Sequence, residues 1–165
     1  MARNWAKDRI AVVVGLLSLL AVASLEAAPT LKVGNASGAA GTVVDLPINF
    51  DPGKATIVSI EFDLTLPPGL STGTVTAAET LNSAGKSIGT SFIGQRWRFL
   101  IFGLNQSAIG SNKILTAQVK IAPGTPAGKL KIPVSNVSYS DAAGRVVVAG
   151  KSVGCTVAVS PPHNP

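Results

Sequence analysis

The chain has 165 residues, enough for one domain with a proper core and too few for two comfortable ones. Its formal charge of +6 falls once the first 23 residues are set aside, which leaves eleven basic against seven acidic residues, and the remaining lysines stand mostly alone, with only Lys129 and Lys131 close together. A phosphate-binding surface needs clustered cations, so nucleic acid is excluded as a partner and the basicity serves solubility.

The N-terminus carries Arg3, Lys7 and Arg9, then an uncharged apolar run from Ile10 to Ala23, then small residues. This three-part layout predicts a secretory signal over 1–27, cleaved after Ala23 or after Ala27, and a secreted, extracellular or periplasmic mature protein. The competing reading is an uncleaved leader acting as a membrane anchor, for which the run is short of the about 20 apolar residues a spanning helix wants. The domain is expected over 28–160 and a disordered tail over 161–165, PPHNP with Ser160 before it.

Thr30 to Val33 reads as a short strand and Gly34 to Gly41 as a small-residue turn. Thr42 to Phe50 is a second strand, whose Pro47 cannot donate to a ladder and so predicts an edge or a bulge. Asp51-Pro52-Gly53 turns the chain into Thr56 to Leu66. There Val58, Ile60, Phe62, Leu64 and Leu66 alternate with Ile57, Ser59, Glu61, Asp63 and Thr65, a period of two that gives a strand one buried and one wet face. Pro67-Pro68-Gly69 ends it.

Strands follow over Leu70–Ala77, Ser87–Ile93, Gln95–Leu104 and Ile114–Ala122, with at most a helical turn near Ala78–Leu81. After the loop Pro123–Gly128, Leu130 to Tyr139 is a strand interrupted by Pro133 and out of phase after Ser135, which suggests a bulge. Asp141–Gly144 turns the chain into Arg145–Ala149, and Lys151 to Ser160 closes the domain. Nine or ten short strands at near-regular spacing and no convincing helix predict an all-β sandwich or jelly roll.

Catalysis is poorly served. The only histidine, His163, lies in the expected tail, so a Ser/His/Asp or Cys/His device has no positioned base. Glu61 and Asp63 share one strand face and cannot flank a scissile glycosidic bond. No spacing suits zinc or calcium, and Asp51 and Asp141 sit in turns, where carboxylates cap backbone amides. No enzyme, cofactor or metal is therefore expected. The lone Cys155 sits among valines of the last strand and is expected to be buried.

These segments, taken in order, resemble the cohesin family, within the jelly-roll superfamily that also holds carbohydrate-binding modules. The residues that carry the resemblance are LKVGNASGAAGTVVDLPINF (Leu31 to Phe50), IEFDLTLPPGL (Ile60 to Leu70) and LTAQVKIAPGTPAGKLKIPVSNVSYSDAAGRVV (Leu115 to Val147), and the similarity covers roughly Thr30 to Ser160. It implies a nine-stranded jelly-roll β-sandwich that receives dockerin modules in the breakdown of polysaccharides, one sheet forming the docking face.

In QRWRFLIFGL, Trp97, Phe99 and Ile101 are expected to face the core. That leaves Arg96, Arg98, Leu100 and Phe102 facing outward, two large apolar groups beside two arginines, either as a protein-binding patch or covered by loops. Ser59, Glu61, Asp63 and Thr65 would complete the surface. Two alternatives stay open. One is a carbohydrate-binding module using Tyr139 on a polysaccharide, and the other is an envelope structural subunit exchanging strands through the Pro47 edge.

Overall fold

The computed structural model describes residues 27–161, so all but the last residue of the expected leader and all but the first residue of the expected tail lie outside the described residues. The alternation at Thr56–Leu66 resolves into a strand at Ser59–Thr65 in the middle of a five-stranded sheet. In chain order the strands are β1 (Thr30–Val33), β2 (Ala36–Ala39), β3 (Val43–Asp51), β4 (Ser59–Thr65), β5 (Leu70–Ala77), β6 (Ser87–Ile93), β7 (Arg96–Phe102), β8 (Asn112–Ile121), β9 (Gly128–Ile132), β10 (Val134–Ser140), β11 (Val146–Val147) and β12 (Cys155–Ser160), with a short helix, α1 (Glu79–Ser83), between β5 and β6. No helix among the described residues is long and apolar enough to cross a membrane.

Two layers face each other. One is the sheet β11-β10-β4-β7-β6. The other combines β1-β3-β8-β5 with β2-β12-β9, joined where the Val33 amide donates to the Val153 carbonyl and the Val153 amide to the Leu31 carbonyl, at 2.9 and 2.8 Å. This is the expected β-sandwich, but with more strand segments than the expected nine. Pro133 divides the Leu130–Tyr139 run into β9 in one layer and β10 in the other. The segment read as a turn after Gly34 includes β2, which pairs in parallel with β12. Gly34 marks the break between β1 and β2, and a Cβ there would lie 2.6 Å from the Pro47 ring.

Pro47 itself is not on an edge, because β3 lies between β1 and β8. Its carbonyl accepts from the Gly34 amide at 2.8 Å, so its side of the strand faces the point where the neighbouring strand leaves the ladder. A register shift follows one residue on, between Ile48 and Asn49. A strand-exchange edge at Pro47 is thereby removed.

The core fills the space between the layers. Leu31, Leu46, Ile48 and Phe50 from one side meet Ile60, Phe62, Leu64, Trp97, Phe99, Ile101 and Tyr139 from the other, all buried. Phe62 and Phe99 stack at 4.7 Å and 4°, with Trp97 tilted onto Phe99 at 4.6 Å. Each such side chain stabilises the fold by about 1.5–3 kcal/mol relative to exposure. Cys155 is buried as expected, and desolvation pushes its thiol up to about 11.

The loop after β7 is pinned by a buried lysine. The Lys86 ammonium donates to the Asn105 carbonyl and side-chain oxygen at 3.2 and 3.0 Å, and burial pushes its pKa down. Ile109 closes the same loop onto the core, its amide donating to Ile57 at 2.8 Å.

Candidate docking face

With Trp97, Phe99 and Ile101 buried, the other residues of β7 must point away from the core, and they do. The antiparallel register sets Leu100 opposite Glu61, Arg98 opposite Asp63 and Arg96 opposite Thr65. On the far side of β4, Ser138 and Ser140 of β10 stand opposite Glu61 and Ser59. All eight residues singled out in the sequence therefore share the outer face of the five-stranded sheet: Ser59, Glu61, Asp63, Thr65, Arg96, Arg98, Leu100 and Phe102.

The apolar pair is open to solvent. Leu100 is 40% and Phe102 42% exposed, so the loops do not cover them. Gly89 of β6 stands opposite Leu100, and its missing side chain leaves the flank of Phe102 clear; a Cβ there would sit 3.6 Å from the ring.

Asp63 departs from expectation. It lies on the outer face, where a wet carboxylate is predicted, yet it is fully buried. The Arg98 guanidinium covers it with two bonds, Nε to Oδ1 at 2.7 Å and Nη2 to Oδ2 at 2.9 Å, and the Asn136 amide donates to Oδ2 at 2.7 Å. Arg96 adds a looser ion pair at 3.8 Å, and the remaining Arg98 nitrogen reaches Glu61 at 3.2 Å. The Arg98 guanidinium holds the Asp63 carboxyl below the ordinary carboxylate value, burial opposing it and Asn136 assisting. A bidentate pair of this kind fixes the guanidinium plane as well as its charge.

Asn136 is the site residue that reasoning from sequence missed. The bulge expected after Ser135 is present, as a register shift between Ser135 and Ser138. Asn136 sits in it at φ 50°, a left-handed conformation that asparagine tolerates, and this turns its amide over Asp63. The phase break was the available signal. Ser59 belongs to the face but is committed within the sheet, its hydroxyl donating to the Ile101 carbonyl at 2.9 Å.

Tyr139, the residue on which the carbohydrate reading depended, is fully buried and packs 5.6 Å from Phe50. It lies opposite Ile60, on the core side of β10, and so offers no stacking platform. Its hydroxyl and that of Ser152 are buried side by side without a well-formed hydrogen bond; burial pushes the phenol up, and the Ser152 hydroxyl opposes the shift. Asp51 and Asp141 cap their turns as expected, Asp51 accepting from the Gly53 amide and Asp141 from the amides of Ala143 and Arg145, all at 2.9 Å.

A concavity of about 560 Å³ opens elsewhere, between Pro68-Gly69 and Ala122–Leu130, and Lys129 is the one titratable residue lining it. Among the described residues no three His, Cys, Asp or Glu side chains converge.

No protein-family model matches the sequence, and no curated protein is significantly similar to it. Solved structures are. A type I cohesin–dockerin complex from Clostridium thermocellum matches with a TM-score of 0.70 at 14% identity, over 81% of this chain and 100% of the other. The sixth cohesin of Acetivibrio cellulolyticus scaffoldin B, solved with a dockerin, matches at 0.69 and 17% identity, over 81% and 100%. A non-cellulosomal cohesin from the hyperthermophilic archaeon Archaeoglobus fulgidus matches at 0.69 and 15%, over 82% and 93%.

This chain has the cohesin fold. At these identities the likeness is one of fold, and what a cohesin fold does here has to be read from its own surface. That surface is a preformed sheet with two exposed apolar side chains beside a hydrogen-bonded charge network.

Proposed function

We propose that this cohesin-like chain is a secreted, non-catalytic module that binds a protein partner of the dockerin type through the outer face of β10-β4-β7-β6, in association with polysaccharide breakdown. The observation that carries the reading is the exposure of Leu100 and Phe102 on β7, a strand paired on both sides, next to Arg98 locked on Asp63. Exposed apolar pairs of this kind anchor protein interfaces, while flanking charges set orientation and encounter rate.

The face needs little ordering before it binds. Arg98 is held by Asp63 and Glu61, and Asp63 in turn by Asn136, so less side-chain freedom remains to be lost on association. Two further points support the reading. Cohesins of this fold have been solved in complex with dockerins, and the N-terminal residues carry the pattern of an export signal.

The test is capture of purified dockerin-bearing proteins from the same organism on the immobilised chain. Retention by the wild type and its loss in Leu100→Asp and Phe102→Asp, with thermal unfolding unchanged, is the expected result. Failure of every dockerin to bind, or binding unaffected by both substitutions, would overturn the proposal.

A further inference from the structure

β6 forms a free edge of the same sheet. It pairs with β7 on one side only, and Ser87–Ile93 make no backbone hydrogen bond to any other segment among the described residues. Unpaired edge groups are a template for another strand, and proteins guard them with lysine, proline, bulges or brevity. The other edges are guarded: β9 carries Lys129 and Lys131, β5 shifts register between Thr72 and Val75, β10 is bulged at Asn136, and β11 and β2 have two and four residues. β6 has no such guard. Its seven residues, SIGTSFI, hold no charge and no proline, keep unbroken register with β7, and end in Phe92 and Ile93, 48% and 71% exposed.

We propose that β6 is a self-association edge, on which a second copy of this chain lays its own β6 antiparallel across a two-fold axis at Thr90. The occupant follows from the strand's complementarity to itself. A register centred on Thr90 is the one that pairs all seven residues, and it sets Ile88 opposite Phe92, Gly89 opposite Ser91 and Ser87 opposite Ile93. Ile88 and Phe92 stand opposite the buried Ile101 and Trp97 in β7. The new pairs therefore extend the core row and cover the exposed Phe92 ring. No like charges meet across the axis. Such an isologous contact closes at two copies. With the axis normal to the sheet, both outer faces point the same way; if the docking reading holds, the dimer presents two docking surfaces side by side.

The test is sedimentation equilibrium of the full mature chain without any partner, from low micromolar to near-millimolar concentration. The wild type is expected to dimerise. Thr90→Lys and Thr90→Glu, each setting two like charges against one another at an exposed position, should each weaken self-association by roughly tenfold or more. An equimolar mixture of the two variants should restore it, since opposite charges then meet on the axis. A wild type that stays monomeric throughout, a dimer that survives in both variants, or a mixture that stays monomeric would overturn the proposal. Dockerin capture by the Thr90 variants reads the docking face separately, so loss of one property does not mask the other.

Discussion

Replacing Asp63 by asparagine keeps the shape of the side chain and removes its charge. In the native sheet the carboxylate accepts two bonds from Arg98, at 2.7 and 2.9 Å, and one from Asn136 at 2.7 Å. Hydrogen bonds to a charged group contribute about 1.5–3 kcal/mol each when both partners are dry. Arg98 is 43% exposed, so water screens its half of the pair and the sum falls well short of three such bonds. The asparagine also keeps one acceptor. The expected loss is about 2 kcal/mol, or a fall in Tm of about 4–8 °C for a domain of this size.

The pH dependence fixes the cause. The carboxyl titrates lower in the fold than in a free aspartate. The unfolded chain therefore takes up the proton first, and the stabilisation is complete above about pH 5 and fades as the pH falls through the lowered native value. Urea unfolding of both proteins should show a gap in midpoint that is full near pH 7 and narrows as the pH falls below the ordinary carboxylate value. Equal midpoints at neutral pH, or a gap that stays constant down to about pH 2.5, would refute the assignment of Asp63 as a buried, charged anchor.

Tyr139→Phe removes a buried hydroxyl whose neighbour is the Ser152 hydroxyl and which has no well-formed hydrogen bond, so stability should change by no more than about 1 kcal/mol in either direction. A loss larger than that in urea unfolding would show that the hydroxyl is bonded. Cys155 should resist thiol reagents in the native protein. With its pKa near 11 against an ordinary value of 9.0, its thiolate fraction at pH 8 is roughly 90-fold lower than in the unfolded chain. Fast stoichiometric labelling of the folded protein would contradict its burial.

The sandwich was legible where the pattern was local. Alternation in SIEFDLT and RWRFLIF is set by the pleat, and both runs became strands with the expected apolar residues inward, whereas ahead of β4 the pattern failed: Ile57, expected on the wet face, is buried and Val58 only half-buried. The phase break after Ser135 was likewise a local sign of the bulge that is present. What escaped depends on distant partners. Asp63 is dry because Arg98, 35 residues on, and Asn136, 73 on, close over it, and an alternating pattern can report only which face a residue is on. β2 has no apolar alternation, and its strand character comes from parallel pairing with β12 near the other end of the chain. Tyr139 was read from its polar tip, whereas its position opposite Ile60 sends it inward. Pro47 follows the usual rule for proline in sheets, but satisfies it where the neighbouring strand departs rather than at an edge.

In the proposed function one face of one sheet receives the partner. Amide hydrogen exchange on the chain with and without a bound dockerin module reads this strand by strand. Added protection should be confined to the β4, β7 and β10 ladder and the adjoining part of β6, leaving β1, β3, β8 and β5 unchanged. Protection appearing instead on β3 and β8, or around the loop Ala122–Leu130, would contradict it.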